Sequence, residues 1–245
     1  MSPPRLSPLK FEEVTVEPAP PSRDVQMMYF DSYIMNLDKL APDLAAARRQ
    51  VETLVGTGPT TGNAAESTIK ILEGLSGRHE VKQLRKWIGL EKVPAVVAMV
   101  KAELEANQYD KIALFGCHKA ALEELRYGLR MFGAHIVYEN TPQMKRHRND
   151  KAFQTDPRRR VMVRQLSAPP APLTAACQVG VVEADWIAHR NAQAVLQVHQ
   201  KGQTRPVTVR FFMVQGFDAA VMRALKQRAR SMSASFEPQE EDPFA

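Results

Sequence analysis

Residues 111–119 read Lys111-Ile112-Ala113-Leu114-Phe115-Gly116-Cys117-His118-Lys119. An apolar run that ends in a short polar loop predicts a buried strand. A helical pattern follows, with Leu122, Leu125 and Leu129 facing inward. Further strand patterns come at residues 135–138, 160–163 and 174–186, with helical patterns between them. This alternation predicts an α/β fold in which helices cover both faces of a parallel sheet.

The rest of the chain divides by composition. Residues 1–26 are rich in proline and predict an extended arm, with a strand or docking segment over residues 11–17. Residues 27–92 predict a helical region, the α/β lobe is expected over 93–230, and residues 231–245 predict a disordered acidic tail. Individual helices are predicted over residues 27–55, 67–75, 79–89 and 94–107.

Composition favours a nucleic-acid partner and argues against several other classes. The 245-residue chain is 44% hydrophobic, enough for a sizeable core, and has a formal net charge of +6. Its cations are concentrated in runs at 145–148, 158–164 and 223–230, and such runs favour polyanions. The histidines and the two cysteines lack metal-ligand spacing, so we expect neither a metal nor a cofactor. No membrane-spanning or signal-peptide pattern is present, so we expect a cytoplasmic protein.

The segment Gln193–Val207, QAVLQVHQKGQTRPV, resembles the last helicase motif of SWI/SNF-type superfamily II DNA translocases, QAxxRxHRxGQxxxV. In that family the two arginines reach the ATP phosphates, and a guanidinium suits this because it is planar and always charged. Glutamine stands at both positions here, and it is neutral. Five residues form this degenerate ATPase motif: Gln193, Gln197, His199, Gln200 and Gln203. We expect that changing both arginine-position glutamines to arginine leaves the fold intact and restores no hydrolysis.

The resemblance extends over about residues 84–230. Residues 111–119 resemble the strand and loop that open the second RecA-like lobe, the helicase C-terminal domain. Residues 140–157 resemble the family segment STPxxxR…FQxDP. The resemblance implies a RecA-like parallel sheet with flanking helices, preceded by a helical N-terminal region.

Three departures from the family remove ATP chemistry. The family's AGGxGxxL-like loop is replaced by residues 167–172, SAPPAP, whose prolines fix φ and lack N–H donors. The sequence contains no GxxxxGK[ST] phosphate loop, and the first lobe with its magnesium carboxylates is absent. We therefore expect a pseudo-helicase and not an enzyme.

Two further sets of residues carry binding hypotheses. By resemblance, DNA contact is implied for Lys119, Thr141, Arg146, Arg148 and Arg158. The end of the chain is similar to the acidic tips of bacterial and phage single-stranded-DNA-binding proteins, which end like DDIPF, although Ala245 adds one residue. Its partner-binding residues would be Glu240, Glu241, Asp242 and Phe244. Phe244 would enter a pocket of the partner, and the carboxylates would meet a basic rim around it. The alternative is a disordered solubilising tail.

Three functions stay open at this point. The first is a non-catalytic helicase-like nucleic-acid-binding protein, a phage or mobile-element accessory of replication or recombination, with single-stranded DNA as one candidate ligand. It would work in the host cytoplasm if phage-encoded, and its tail would bind replication or recombination proteins. The second is lobe 2 of a split SWI/SNF-type ATPase that assembles with a separate lobe 1 protein. The third is a protein-interaction module or inhibitor that mimics a helicase lobe.

Overall fold

The computed structural model describes residues 7–22, 24, 25, 28, 49, 79–219, 221, 222, 225 and 226. The strands are β1 (Leu9–Thr15), β2 (Ile112–Gly116), β3 (His135–Val137), β4 (Val161–Gln165), β5 (Gln178–Val181) and β6 (Val207–Met213). The helices are α1 (His79–Glu105), α2 (Lys119–Gly128), α3 (Gln143–Thr155) and α4 (Ala188–Val198), with a short 3-10 helix at Arg130–Phe132. The helices predicted over 27–55 and 67–75 and the tail 231–245 lie outside the described residues.

The six strands form one parallel sheet in the order β1-β6-β5-β2-β4-β3. The predicted α/β class is therefore confirmed, and the strand predicted over 11–17 is found at Leu9–Thr15. Because all strands are parallel, their carboxyl ends share one edge of the sheet, the carboxyl edge, and their amino ends share the opposite amino edge. Loops at the carboxyl edge of such a sheet are where ligands commonly bind.

Hydrophobic residues alternate between two cores, one on each face of the sheet. Ile112 and Leu114 belong to the core that includes α1 and α2, whereas Ala113 and Phe115 belong to the core that includes α4. Strand β2 is covered on both faces and is buried along its whole length. This is why its sequence is a continuous apolar run and does not alternate with polar residues.

A single helix, α1, replaces the two helices predicted over 79–89 and 94–107, so that prediction was wrong. Pro94 lies inside α1 and is exposed. A proline within a helix removes one hydrogen bond and favours a break. Here Leu90, Val93 and Val96 on both sides of it are buried in the same core, and this packing keeps the helix continuous. The predicted boundary between 92 and 93 falls inside this helix. None of the described helices is long and apolar enough to cross a membrane.

Candidate functional site

Gln197, one of the two glutamines that stand at arginine positions of the motif, makes a hydrogen bond that holds the structure together. Gln197 lies on α4, is 6% exposed, and its Oε1 accepts a hydrogen bond of 3.2 Å from the backbone N–H of Ala171. Its backbone carbonyl accepts the N–H of Leu173 at 2.7 Å. Gln197 therefore fastens the proline-rich loop to α4. The expectation that arginine at this position leaves the fold intact assumes an exposed side chain, and that assumption was wrong, because Gln197 is buried and supplies an acceptor.

The other motif residues also hold backbone segments together, with one exception. Gln203 is buried, and its Nε2 donates to the Ala176 carbonyl at 2.6 Å. A ring nitrogen of His199 lies 2.7 Å from the carbonyl oxygen of Ser7, which ties the segment just before β1 to the end of α4. Gln200 donates to the Gln197 carbonyl at 2.8 Å. The exception, Gln193, is exposed.

Two of the predicted DNA-contact residues lie at the carboxyl edge. Lys119 is exposed at the start of α2, with its Nζ 5.4 Å from the centre of the Tyr138 ring. Thr141 follows β3, but it is buried and its hydroxyl accepts the N–H of Tyr138 at 2.8 Å. Of these two side chains, Lys119 is the one exposed to meet a phosphate, while Thr141 shapes the turn.

The next predicted contacts lie on α3, which leads from the carboxyl edge after β3 to the amino edge before β4. We define the basic α3 surface as Lys145, Arg146, Arg148 and Lys151. Three of these cations are exposed, and Arg146 is half-buried. The one acidic residue of α3, Asp150, accepts a 2.5 Å ion pair from the buried Arg164, so it is engaged on the interior side.

Arg158 lies apart from Lys119. Lys119 follows β2 and Arg158 precedes β4, and these two strands are parallel neighbours, so the two side chains lie at opposite edges of the sheet. Arg158 is exposed, and its Nε lies 3.2 Å from a carboxylate oxygen of Asp156. The structure therefore places Lys119 at the carboxyl edge and Arg158 at the amino edge, with the α3 cations on the helix that connects the two edges.

A buried carboxylate that sequence reasoning missed organises the carboxyl edge. Oε2 of Glu183 accepts the backbone N–H groups of Cys117 and His118, each at 3.0 Å. Its Oε1 lies 2.6 Å from Nδ1 of His118. Burial alone raises the pKa of Glu183, but the charge of His118 and its hydrogen bonds outweigh burial and hold the pKa below its ordinary value.

Two glycines make the room that Glu183 occupies. A Cβ built on Gly89 of α1 would lie 2.3 Å from Oε1 of Glu183, and a Cβ on Gly116 would lie 2.9 Å from Oε2. A glycine in the middle of a helix is unfavourable, so Gly89 was the sequence signal that a neighbouring group needs this space.

Above this carboxylate lies a crevice of about 610 Å³ at the carboxyl edge, which we call the edge crevice. It is bounded by the first half of α1, the turn between β2 and α2, and the segments that follow β4 and β5. Four of its lining side chains are cationic and two are carboxylates: Lys82, Arg85, Lys86, Arg190, Glu139 and Asp185.

Partners fix two of the crevice arginines. The Arg190 guanidinium is 3.0 Å from Asp185, and the Arg85 guanidinium lies 4.4 Å from the centre of the Trp186 ring. Arg205, the other arginine near the motif, is 3.1 Å from Asp110.

Comparison with known proteins agrees with this architecture. No family model matches the chain. DNA repair protein RAD5A of Arabidopsis thaliana is 28% identical over 183 residues, which are 72% of this chain and 17% of that protein. The chain thus spans about a sixth of the length of this curated relative.

Two solved structures share the fold. The Sulfolobus solfataricus SWI2/SNF2 ATPase core in complex with dsDNA superposes with a TM-score of 0.54 at 18% identity, covering 93% of this chain and 47% of that chain. The C-terminal part of the Fun30 ATPase domain superposes with a TM-score of 0.51 at 16% identity, covering 65% of this chain and 53% of that one. The chain is therefore similar to a SWI2/SNF2 ATPase core, including the C-terminal part of one, with the RecA-like α/β fold predicted from its sequence.

Proposed function

We propose that this protein is a non-catalytic, helicase-like DNA-binding protein. The observation that carries the proposal is the basic α3 surface, which projects its cations from a helix whose single carboxylate is engaged by Arg164 on the interior side. The exposed cations Lys145, Arg148 and Lys151 supply the sequence-independent attraction to phosphate that dominates DNA affinity. One relative of similar fold was solved in complex with dsDNA, which supports this ligand class.

The non-catalytic part of the proposal is supported by the motif residues. Gln197 uses its side chain to bind the proline-rich loop, so the position at which the family carries an arginine is committed to the interior. Arg190 and Arg205, the nearby arginines, are each paired with a carboxylate, Asp185 and Asp110. A split ATPase would have to release one of them to reach a phosphate. We therefore expect no ATP turnover by the purified protein, with or without DNA.

A titration with fluorescent DNA at two salt concentrations tests the binding. The triple variant Lys119→Ala, Arg146→Ala and Arg148→Ala should weaken binding to all sequences. The slope of log affinity against log salt should flatten by about 0.9 for each duplex phosphate that the variant no longer neutralises. The matched control is Lys101→Ala with Lys201→Ala, because both lysines are exposed and lie outside this surface.

Arg158→Ala is measured separately, since Arg158 lies at the amino edge. A flattening of the slope by this variant as well would extend the DNA path along the whole of α3. If the triple variant bound DNA as tightly and as salt-sensitively as the parent, the basic α3 surface would not be the DNA site.

The biological role that we propose is an accessory of replication or recombination in a phage or mobile element. The acidic tail would recruit its protein partners, with Phe244 as the anchor and the neighbouring carboxylates on a basic rim. Single-stranded and double-stranded DNA of equal length, compared in the same titration, would decide which form is preferred.

A further inference from the structure

We propose that the acidic tail of this chain, residues 231–245, docks on the basic α3 surface with Phe244 against Met144, and that DNA competes with the tail for this surface. The docking joins two parts of one chain and stands without DNA binding. The competition rests on the proposed function, and the two parts of the proposal have separate readouts.

Met144 is an apolar side chain on a helix face that otherwise carries cations and polar groups. It is 87% exposed, more than any other large hydrophobic side chain in the described part of the chain. Arg148 and Lys151 follow it at i+4 and i+7 on α3, so the three share one stripe of the helix. Methionine adapts its shape to a partner and is common at binding surfaces. The stripe therefore offers an apolar contact at the carboxyl-edge end, followed by cations.

The charges of the tail and of the helix are equal in number and opposite in sign. Residues 231–245 contain four acidic side chains, all within residues 237–242, and no lysine or arginine. The basic α3 surface carries four cations. Two carboxylates that interact with these cations, Glu123 and Asp150, are each already engaged by an arginine elsewhere. The surface therefore keeps a positive charge that the tail complements.

The spacing of charges in the tail fits the spacing of cations on the helix. Along α3, Arg148 and Lys151 lie about 6 Å and roughly 10 Å beyond Met144, at about 1.5 Å per residue. In an extended segment, the two carboxylates nearest to Phe244 lie about 7 Å and roughly 10 Å from it, at about 3.4 Å per residue. Phe244 placed against Met144 therefore puts one carboxylate beside each of the two cations.

The chain is long enough for the tail to reach α3. Lys226, the last described residue, forms an ion pair with Glu13 of β1, the strand at one edge of the sheet. Strand β3, which leads into α3, lies at the other edge, and five inter-strand spacings separate the two strands by about 24 Å. The chain from Lys226 to Phe244 spans at most about 60 Å. This length is sufficient to pass around the sheet to the exposed face of α3.

Docking of the tail couples DNA binding to partner capture. While the tail lies on α3, it covers Arg148 and Lys151 and also hides Phe244, the residue that protein partners would bind. The phosphates of DNA meet the same cations, so DNA binding releases the tail. The protein then exposes its partner-binding segment on DNA and keeps it covered in free solution.

The NMR signal of the Met144 methyl group tests the docking in the full chain. In protein labelled at its methionine methyl groups, this signal is assigned by its loss in Met144→Leu. We expect Phe244→Ala to move the signal, because the aromatic ring that lies against the methyl group is removed. The matched control is Phe236→Ala, at the other aromatic residue of the tail, and it should leave the signal in place. High salt should act as Phe244→Ala does, because it screens exposed charges.

Two results of this measurement contradict the docking. A Met144 signal that Phe244→Ala leaves unchanged would show that the ring does not lie there. A shift that disappears on dilution would assign the tail to a second copy of the chain, and this would overturn the contact within one chain.

A titration with DNA measures the competition. Glu240→Gln with Glu241→Gln weakens the tail, and the control Glu17→Gln with Glu105→Gln removes two exposed carboxylates elsewhere, with the same change in net charge. A tethered segment has an effective concentration on the order of millimolar, so docking with a dissociation constant of about 1 mM already occupies the surface half of the time. The tail variant should therefore bind DNA about twofold or more tightly than the control.

The titration and the NMR signal fail separately. Equal DNA affinities of the tail variant and its control would overturn the competition, since they would reduce the effect of the tail to its net charge. If no form of the protein binds DNA, the proposed function fails, and the Met144 signal still decides whether the tail docks on α3.

Discussion

Removing the carboxylate of Glu183 should be the most damaging single change at the carboxyl edge. In Glu183→Ala, the N–H groups of Cys117 and His118 lose their shared acceptor, and the His118 ring loses its partner. A buried donor left without an acceptor costs about 1–3 kcal/mol, so two donors and the ring together should lower the free energy of unfolding by about 3–5 kcal/mol. The space between Gly89 and Gly116 would also be left empty.

Urea denaturation at neutral pH measures this loss. Glu139→Ala is the matched control, because Glu139 is an exposed carboxylate that lines the same crevice, and its removal should change stability little. Glu183→Gln should fall between the two, since one amide oxygen can still accept the backbone N–H groups. A loss below about 1 kcal/mol in Glu183→Ala would refute the reasoning, since it would mean that the two donors find other acceptors.

The same variants carry a pH signature. The pKa of Glu183 is lower in the folded protein than its ordinary value of 4.5. Its contribution to stability is therefore fully present above the unfolded pKa and is lost as the pH falls through the folded pKa. The difference in unfolding free energy between the parent and Glu183→Gln should shrink as the pH is lowered below about 4.5, the ordinary pKa of this carboxyl. A difference that stays constant from pH 7 to pH 3 would place the effect elsewhere than in this ionisation.

Three further outcomes are expected. Gln197→Arg should lower the free energy of unfolding by about 1–3 kcal/mol, because the Ala171 N–H loses its acceptor; an unchanged denaturation midpoint would show that the loop adapts. Gly89→Ala should destabilise, although alanine favours helix by about 1 kcal/mol, because its Cβ would meet Glu183; a rise in melting temperature would contradict this. Phe244→Ala should abolish capture of partners that recognise single-strand-binder tips while folding stays intact, and equal recovery in a pulldown would reduce the tail to a solubilising segment.

Local patterns predicted strands β1 to β5 and helix α2, because burial on both faces leaves apolar runs that a single sequence displays; no strand was predicted at β6. The break predicted near Pro94 failed, since the packing of Leu90 and Val96 overrides the local preference of proline. The sequence predicted that β1 is a strand, but it did not predict which strand β1 pairs with. Parallel pairing with β6 leaves no local signal in the sequence of either strand.

The site was harder to predict because its contacts join distant parts of the chain. Glu183 is an isolated carboxylate in the sequence, and the His118 it binds is 65 residues away. The sequence identified Gln197 only as a residue that replaces a family arginine. Gln197 is buried because the loop around Ala171 packs against α4. The prolines in the sequence of that loop do not indicate that it packs there.

Because β1 pairs with β6, β1 can join the sheet only after β6 has been synthesised. Ser7, just before β1, is 192 residues away from its partner His199, so the ribosome needs about 10–40 s to make the intervening chain at about 5–20 residues per second. During that time the β1 segment has no strand to pair with, and the side chain of Phe11 is accessible to solvent. This side chain is 59% exposed even in the folded protein. The charges of Glu12 and Glu13 beside that phenylalanine oppose pairing with other nascent chains, and so protect the strand until β6 emerges.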